Sequence, residues 1–311
     1  MRALRGQEGG RYVWRAIPLP IPGRESIGVV TVCDDMQGGN FEEQRERDLQ
    51  LVGYLNQAAR ALEAVSTRRQ EMALAGRMQS SLLPRDPPEL PGWQLAATLM
   101  SARETSGDFY DFIPLPGGRM GIVIADVADK GMGAALYMAL SRTLIRTYAA
   151  DYADRPDLAL RAASERILAD TGAELFVTVF YGILEPSDGT LTYCNAGHYP
   201  PYLLGSKEGD PVQVLPGRGM ALGVLQDTRW GHTTLQLEPG AVLLLYTDGV
   251  VDAQDSREER FGSERMVDVV RKNLPHSARG VQEALLAQLQ QFMGDEPQFD
   301  DITFIVVERN S

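Results

Sequence analysis

The residues best suited to chemistry are aspartates, and they fall at the ends of apolar runs. Asp108 and Asp111 lie in SGDFYDF, Asp126 closes MGIVIAD, Asp248 closes AVLLLYTD, and Asp300-Asp301 precede ITFIVV. Taken singly, an aspartate there starts a turn or caps a helix, as in the Asp248-Gly249 dipeptide. Taken together, carboxylates that converged from separate strand ends would repel one another unless cations sat among them. Oxygen ligands without His or Cys select Mg²⁺ or Mn²⁺ over zinc. Two such ions about 3.5–4 Å apart can hold a bridging hydroxide and clamp a phosphoryl group for in-line attack. Convergence itself is a matter for the fold.

Other chemistries are poorly supplied. Three histidines, two cysteines, no HExxH and no GxSxG leave little for zinc or serine-nucleophile catalysis. His198, in NAGHYPP, reads as a structural turn residue; His232 opens a strand, and His276 lies in a polar loop. Gly131-Met132-Gly133 follows a strand and opens a helix, as a dinucleotide-binding turn does. The third small residue of that motif would be Leu136, however, and Asp126 and Asp129 would face a pyrophosphate with negative charge.

The elements that must position these residues form three regions. Residues 12–18 and 26–33 read as strands separated by the break PLPIPGRE. Residues 41–83 contain no proline and two glycines and read as one helix. Along it Leu51, Leu55, Ala58, Leu62, Val65 and Met72 follow coiled-coil spacing, which suits either a dimerising helix or an amphipathic helix lying on its own domain. Pro84, Pro87, Pro88 and Pro91 end it. Beyond, strands are expected at 94–100, 120–127, 175–184, 191–195, 232–237, 241–246 and 302–308, with helices near 131–150, 157–170, 263–273 and 280–293. The strands cluster as hairpins, which favours an antiparallel α+β domain.

Composition agrees with a folded enzyme-sized chain. At 311 residues, 44% hydrophobic and 23% charged, it suits about two globular domains. The net charge of −12 falls wholly on residues 91–311, because residues 1–90 hold 12 basic and 12 acidic side chains. An acidic half repels phosphate backbones, so no nucleic-acid partner is expected. No stretch of about 18 apolar residues is present and the amino terminus has no apolar signal core, so the expected location is cytoplasmic, without a membrane span. Cys33 and Cys194 are expected to be unbridged thiols.

The blocks MALAGRMQSSLLP, ETSGDFYDF, IADVADKGMGAALYMA, NAGHYPPYLL, LLLYTDGVVDAQ, FGSER and FDDITFIVV resemble, in order, those of the SpoIIE/RsbU-type serine phosphatases of the metal-dependent PPM class. The resemblance covers residues 72–309. It implies an α+β fold, a PPM-like antiparallel β-sandwich flanked by helices, with two Mn²⁺ or Mg²⁺ ions at one edge. Carried onto this sequence, Asp126 resembles the carboxylate bridging both ions. Asp108 and the Val127 backbone carbonyl resemble ligands of one ion, and Asp248 and Asp300 resemble ligands of the other. Asp300 is favoured over Asp301; Asp111 and Asp252 read as turn caps rather than groups holding metal-bound water. Asp126 and Asp108 would be central to catalysis, with a hydroxide between the ions attacking phosphorus directly. Ser106 and Ala125 stand where glycine is commoner in the family. Ala128 stands where eukaryotic relatives have a histidine proposed as general acid, and Arg103 reads as a surface residue.

The segment WRAIPLPIPGRESIGVVTVCDD with GGNFEEQRERDLQLVGYLNQAARALE resembles the last strands and helix of a GAF sensor domain. The expected organisation is thus a partial GAF-like segment at 1–40, a helical linker at 41–90 that can pair in a homodimer, and a phosphatase domain at 91–311. The substrate implied by resemblance is phosphoserine on a STAS-type anti-sigma-factor antagonist, in partner-switching control of transcription. A non-catalytic pseudophosphatase and a small-molecule phosphatase are the alternatives.

Overall fold

The computed structural model describes residues 3–5, 11–19, 28–35, 41–172, 174–206, 209–217, 219–274 and 277–310, with side chains from residue 50 onward except at 51, 52, 55 and 56. In chain order the elements are β1 (Ala3–Arg5), β2 (Arg11–Leu19), β3 (Gly28–Asp35), α1 (Phe41–Leu82), β4 (Trp93–Met100), β5 (Phe109–Pro114), β6 (Met120–Val127), α2 (Met132–Asp151) and α3 (Pro156–Thr171). They continue with β7 (Val177–Glu185), β8 (Thr190–Ala196), β9 (Tyr202–Leu204), β10 (Gln213–Val214), β11 (Thr233–Gln236) and β12 (Val242–Tyr246). The last are α4 (Asp248–Asp252), α5 (Gly262–Lys272), α6 (Ala278–Met293) and β13 (Ile302–Arg309).

Contacts divide the chain into Met1–Glu71 and Met72–Ser311, a boundary inside α1. The first unit holds an antiparallel sheet in the order β1-β2-β3 and the leading part of α1. Leu62 and Val65, of the expected helical seam, are exposed. The side chains of Leu51, Leu55 and Cys33 lie outside the described residues, as does His276.

The second unit contains two five-stranded sheets, β10-β9-β12-β13-β4 and β11-β8-β7-β6-β5, with antiparallel neighbours throughout. Their facing sides share one core, in which Tyr110, Ile122, Ile124, Phe180 and Tyr193 meet Leu243, Leu245, Ile305 and Val307. The other face of the β6 sheet, with Val123, Ala125, Val179 and Tyr181, is covered by α2 and α3 through Tyr137, Met138, Leu160 and Ile167. The other face of the β12 sheet, with Leu244, Tyr246, Phe304 and Val306, is covered by α5 and α6 through Met266, Val270, Leu285 and Leu289. Strands buried on both faces explain why MGIVIA, AVLLLY and ITFIVV read as continuous apolar runs rather than alternating ones. The strands β1, β5, β9 and β10, which escaped sequence reading, are short, and two aspartates interrupt the apolar pattern around β5.

Side-chain alternation assigns the aspartates to faces. In β5, Tyr110 and Phe112 point between the sheets and Phe109 points to the helices, so Asp111 also faces the helices. There it is 1% exposed and held by two arginines of α2. Arg142 Nη2 lies 2.9 Å from its Oδ2, and Arg146 Nη1 lies 2.9 and 2.8 Å from its two oxygens. Asp111 is therefore neither a turn cap nor a candidate metal-water ligand but the anchor of α2 on the sheet. Cys194 is a buried free thiol. Asp111→Ala would leave the largely buried Arg142 without its anion, which costs roughly 3 kcal/mol. We expect the thermal unfolding midpoint to fall by about 6–12 °C in that variant; an unchanged midpoint would contradict the anchoring role.

Candidate active site

The inward faces of β6, β12 and β13 end together at one edge of the sandwich. In β6, Ile122 and Ile124 point between the sheets, so Asp126 continues the inward row. Its register partner on β7 is Thr178. On β12 and β13 the inward rows, Leu243–Leu245 and Ile305–Val307, extend to Thr247 and Thr303 at the same edge. Thr247 N donates to the Thr303 carbonyl at 2.9 Å, locking that corner. Asp108, just ahead of β5, enters here: it is 2% exposed, and its Oδ2 accepts a 2.7 Å bond from Thr247 Oγ1.

The electrostatics show how crowded the edge is. Burial first, then the charge of Asp126, raises the Asp108 carboxyl well above the usual carboxylate range, while the neighbouring Thr303 and Thr247 hydroxyls oppose the shift. Burial, followed by Asp248 and Asp300, pushes Asp126 up to about 7. Burial and then Asp300 and Asp252 raise Asp248, against the Gly249 N–H and Lys130. Asp126 acts on Asp108 through its charge, and a cation between the two acceptor-only carboxylates would relieve that repulsion.

The DDIT pair divides its labour. Asp301 is saturated by backbone and hydroxyl donors: its Oδ1 accepts from Ala102 N at 2.8 Å, and its Oδ2 accepts from Ser106 Oγ and Gly107 N, each at 2.8 Å. Asp300, in contrast, acts on Asp126 and Asp248 and pairs with Lys130 Nζ at 2.9 Å. Lys130 also donates to the Phe299 carbonyl and lies over its ring. Asp252 bonds Arg260 at 2.9 Å, and Arg103 is exposed. The backbone of Val127 lies against Gly107, where a Cβ would sit 3.0 Å from the Val127 carbonyl oxygen.

Two further groups hold the SGD loop and were not apparent from the sequence. Gln79, buried near the end of α1, grips Ser106 from both sides: its Nε2 donates to the Ser106 carbonyl at 2.6 Å, and its Oε1 accepts from Ser106 N at 2.9 Å. One turn earlier, Gly76 admits the Glu104 carbonyl, which a Cβ would overlap. Nothing in residue type marks a helical glutamine as a loop clamp. Its place in MALAGRMQSSLLP, beside a helical glycine, was the only available signal.

The family follows from the chain's similarities. A profile described as Stage II sporulation protein E (SpoIIE) matches residues 116–310. The chain belongs to the SpoIIE family. Protein IcfG of Synechocystis sp. is 32% identical over 268 residues, covering 78% of this chain; the chain spans only 42% of that relative's length. Phosphoserine phosphatase RsbU of Bacillus subtilis is 27% identical over 246 residues, covering 77% of this chain and 70% of RsbU. Among solved structures, the SiaA-PP2C domain of Pseudomonas aeruginosa shares the fold, with a TM-score of 0.69 at 24% identity, over 80% of this chain and 99% of that one. The antiparallel sandwich flanked by helices is thus the expected family fold. No helix among the described residues is long and apolar enough to cross a membrane.

The donor set fits hard cations by its chemistry: the Asp108, Asp126, Asp248 and Asp300 carboxylates and a backbone carbonyl are all oxygen, and each buried acid is raised by its neighbours. Among the described residues no three acidic, His or Cys side chains stand close enough together to hold a metal ion, and Asp300 is turned to Lys130. Without cations the crowding should appear as pH dependence. A carboxyl raised from 3.8 in the unfolded chain to about 7 in the fold binds its proton more tightly when folded. Stability therefore declines as pH rises from about 4 to about 7. In EDTA we expect the Asp126→Asn chain to melt above wild type at pH 8 and to match it near pH 4. A wild-type midpoint equal to that of the variant at pH 8 would contradict the crowding.

Proposed function

We propose that this chain is a divalent-cation-dependent protein phosphatase that hydrolyses phosphoserine. The observation that carries the reading is the set of mutually repelling carboxylates in a SpoIIE-family sandwich, with Asp126 pushed up to about 7 by burial and its acidic neighbours. In this reading Asp126 would hold both of two Mn²⁺ or Mg²⁺ ions; Asp108 and the Val127 carbonyl would hold one, and Asp248 and Asp300 the other. When bound, such ions supply Lewis acidity, making water a nucleophile near neutral pH and neutralising phosphoryl charge.

The chain's own groups have distinct tasks. Asp301, Gln79 and Gly76 fix the SGD loop so that Asp108 enters at one angle. Thr247 binds Asp108 as a neutral donor, adding no charge that would compete with a cation. Lys130 balances Asp300 and, once Asp300 turns to a cation, is free to meet a phosphoryl oxygen at the rim. The start of α2, at Met132, has no side-chain cap, so its first N–H groups would be open to an anion. Ala128 has no ionisable group, so this position cannot protonate the departing serine oxygen.

The substrate in this reading is phosphoserine on a STAS-type anti-sigma-factor antagonist. The family resemblance and the similarity to a phosphoserine phosphatase, RsbU, support it. Residues 1–40 are read as the closing part of a GAF-like sensor. A second copy of the chain would cover the exposed Leu62 and Val65 of α1 by helix pairing. The test is hydrolysis of p-nitrophenyl phosphate and of a phosphoserine antagonist protein, in EDTA, Mg²⁺ or Mn²⁺. We expect turnover only with metal, and losses in Asp126→Ala and Asp248→Ala beyond the roughly 100-fold typical of outer-shell changes. Folded protein inactive with every metal and both substrates would overturn the assignment in favour of a non-catalytic binding module.

A further inference from the structure

The NAGHYPP turn also reaches the carboxylate edge. His198 is 5% exposed, and its main chain is fixed by Asn195, whose Oδ1 accepts from His198 N at 2.8 Å and whose Nδ2 donates to the His198 carbonyl at 3.1 Å. The imidazole Nδ1 lies 2.9 Å from Thr178 Oγ1, and that hydroxyl lies 3.4 Å from the Asp126 carbonyl oxygen. With the ring hydrogen on Nδ1, each group spends one proton: Nδ1–H donates to Thr178, and the Thr178 hydroxyl donates to Asp126. Burial pushes the imidazole down to about 4, so the ring is neutral near pH 7.

The turn touches the opposite sheet as well. The imidazole lies within reach of the Tyr246 backbone, although its buried Nε2 makes no bond of good geometry there. The Tyr199 ring sits 5.7 Å from the Tyr246 ring. Tyr246 is two residues before Asp248, and Thr178 is the register partner of Asp126. As the Nδ1–H tautomer the imidazole offers a donor directed, through one hydroxyl, at the main chain of Asp126.

We infer that His198 is a positioning residue: through Thr178 it fixes the Asp126 backbone relative to the β12 strand end, and so sets the spacing between Asp126 and Asp248. This deepens the phosphatase reading and rests on it. Thr178→Val removes the hydroxyl at nearly constant volume, and His198→Phe removes the ring donor. Thr178→Ser and His198→Asn keep a donor at the same place.

The experiment uses the full chain, calorimetric titration with Mn²⁺ alone, melting in EDTA and p-nitrophenyl phosphate kinetics. We expect Thr178→Val and His198→Phe each to weaken Mn²⁺ binding roughly 10-fold. Both should lower kcat with KM unchanged, and the double variant should be no weaker than the weaker single one. Thr178→Ser and His198→Asn should recover most of the affinity, and Thr178→Val should melt in EDTA within a few degrees of wild type. Unchanged Mn²⁺ affinity in Thr178→Val, or independent losses that multiply in the double variant, would overturn the inference while leaving the phosphatase reading intact. A wild-type chain that neither binds Mn²⁺ nor hydrolyses the ester would overturn both.

Discussion

Everything at the working edge of the sandwich answers one constraint: several carboxylates are concentrated where two sheets end, largely out of water. Asp108, Asp126 and Asp248 are each raised by burial and by acidic neighbours. Such an arrangement is unfavourable for a bare fold, because like charges in a low dielectric repel strongly. It persists because the apolar core between the sheets, from Ile122 and Phe180 to Leu243 and Ile305, brings the strand ends together regardless. A site of this kind stores a demand for positive charge, and a phosphoryl-transfer centre uses that demand to hold its cations.

The remaining polar groups organise the edge. Thr247 donates to Asp108 as a neutral hydroxyl, and Asp301 spends its hydrogen bonds on the SGD loop while its charge still raises Asp108 and Asp126. Asp111 is removed from the edge by the two-residue period of its strand and spends its charge on Arg142 and Arg146. Two pairs of aspartates close in sequence, 108 with 111 and 300 with 301, thus divide between the cluster and its framework.

Much of this was legible in the sequence. The long strands and helices announce themselves as apolar runs and amphipathic stretches, and the ordered motif blocks point to the SpoIIE family. Strand alternation, once β5 is located, separates Asp108 from Asp111. What could not be read is whatever depends on partners far along the chain. Arg142 and Arg146 are ordinary helical arginines until α2 lies on β5, and Gln79 is an ordinary helical glutamine until its helix meets the Ser106 loop. His198 looked like a turn residue because the turn is local, whereas its contact with Thr178 exists only once β7 and β8 are paired. The three shortest of the missed strands carry too few residues for any period to show.

The central claim, that the acidic edge is built around paired divalent cations, is tested most directly by electron paramagnetic resonance during titration of the full chain with Mn²⁺. The account predicts two ions bound per chain with an exchange-coupled signal, and loss of the coupling in Asp126→Asn. One ion or none, or two ions without coupling in the wild type, would contradict it.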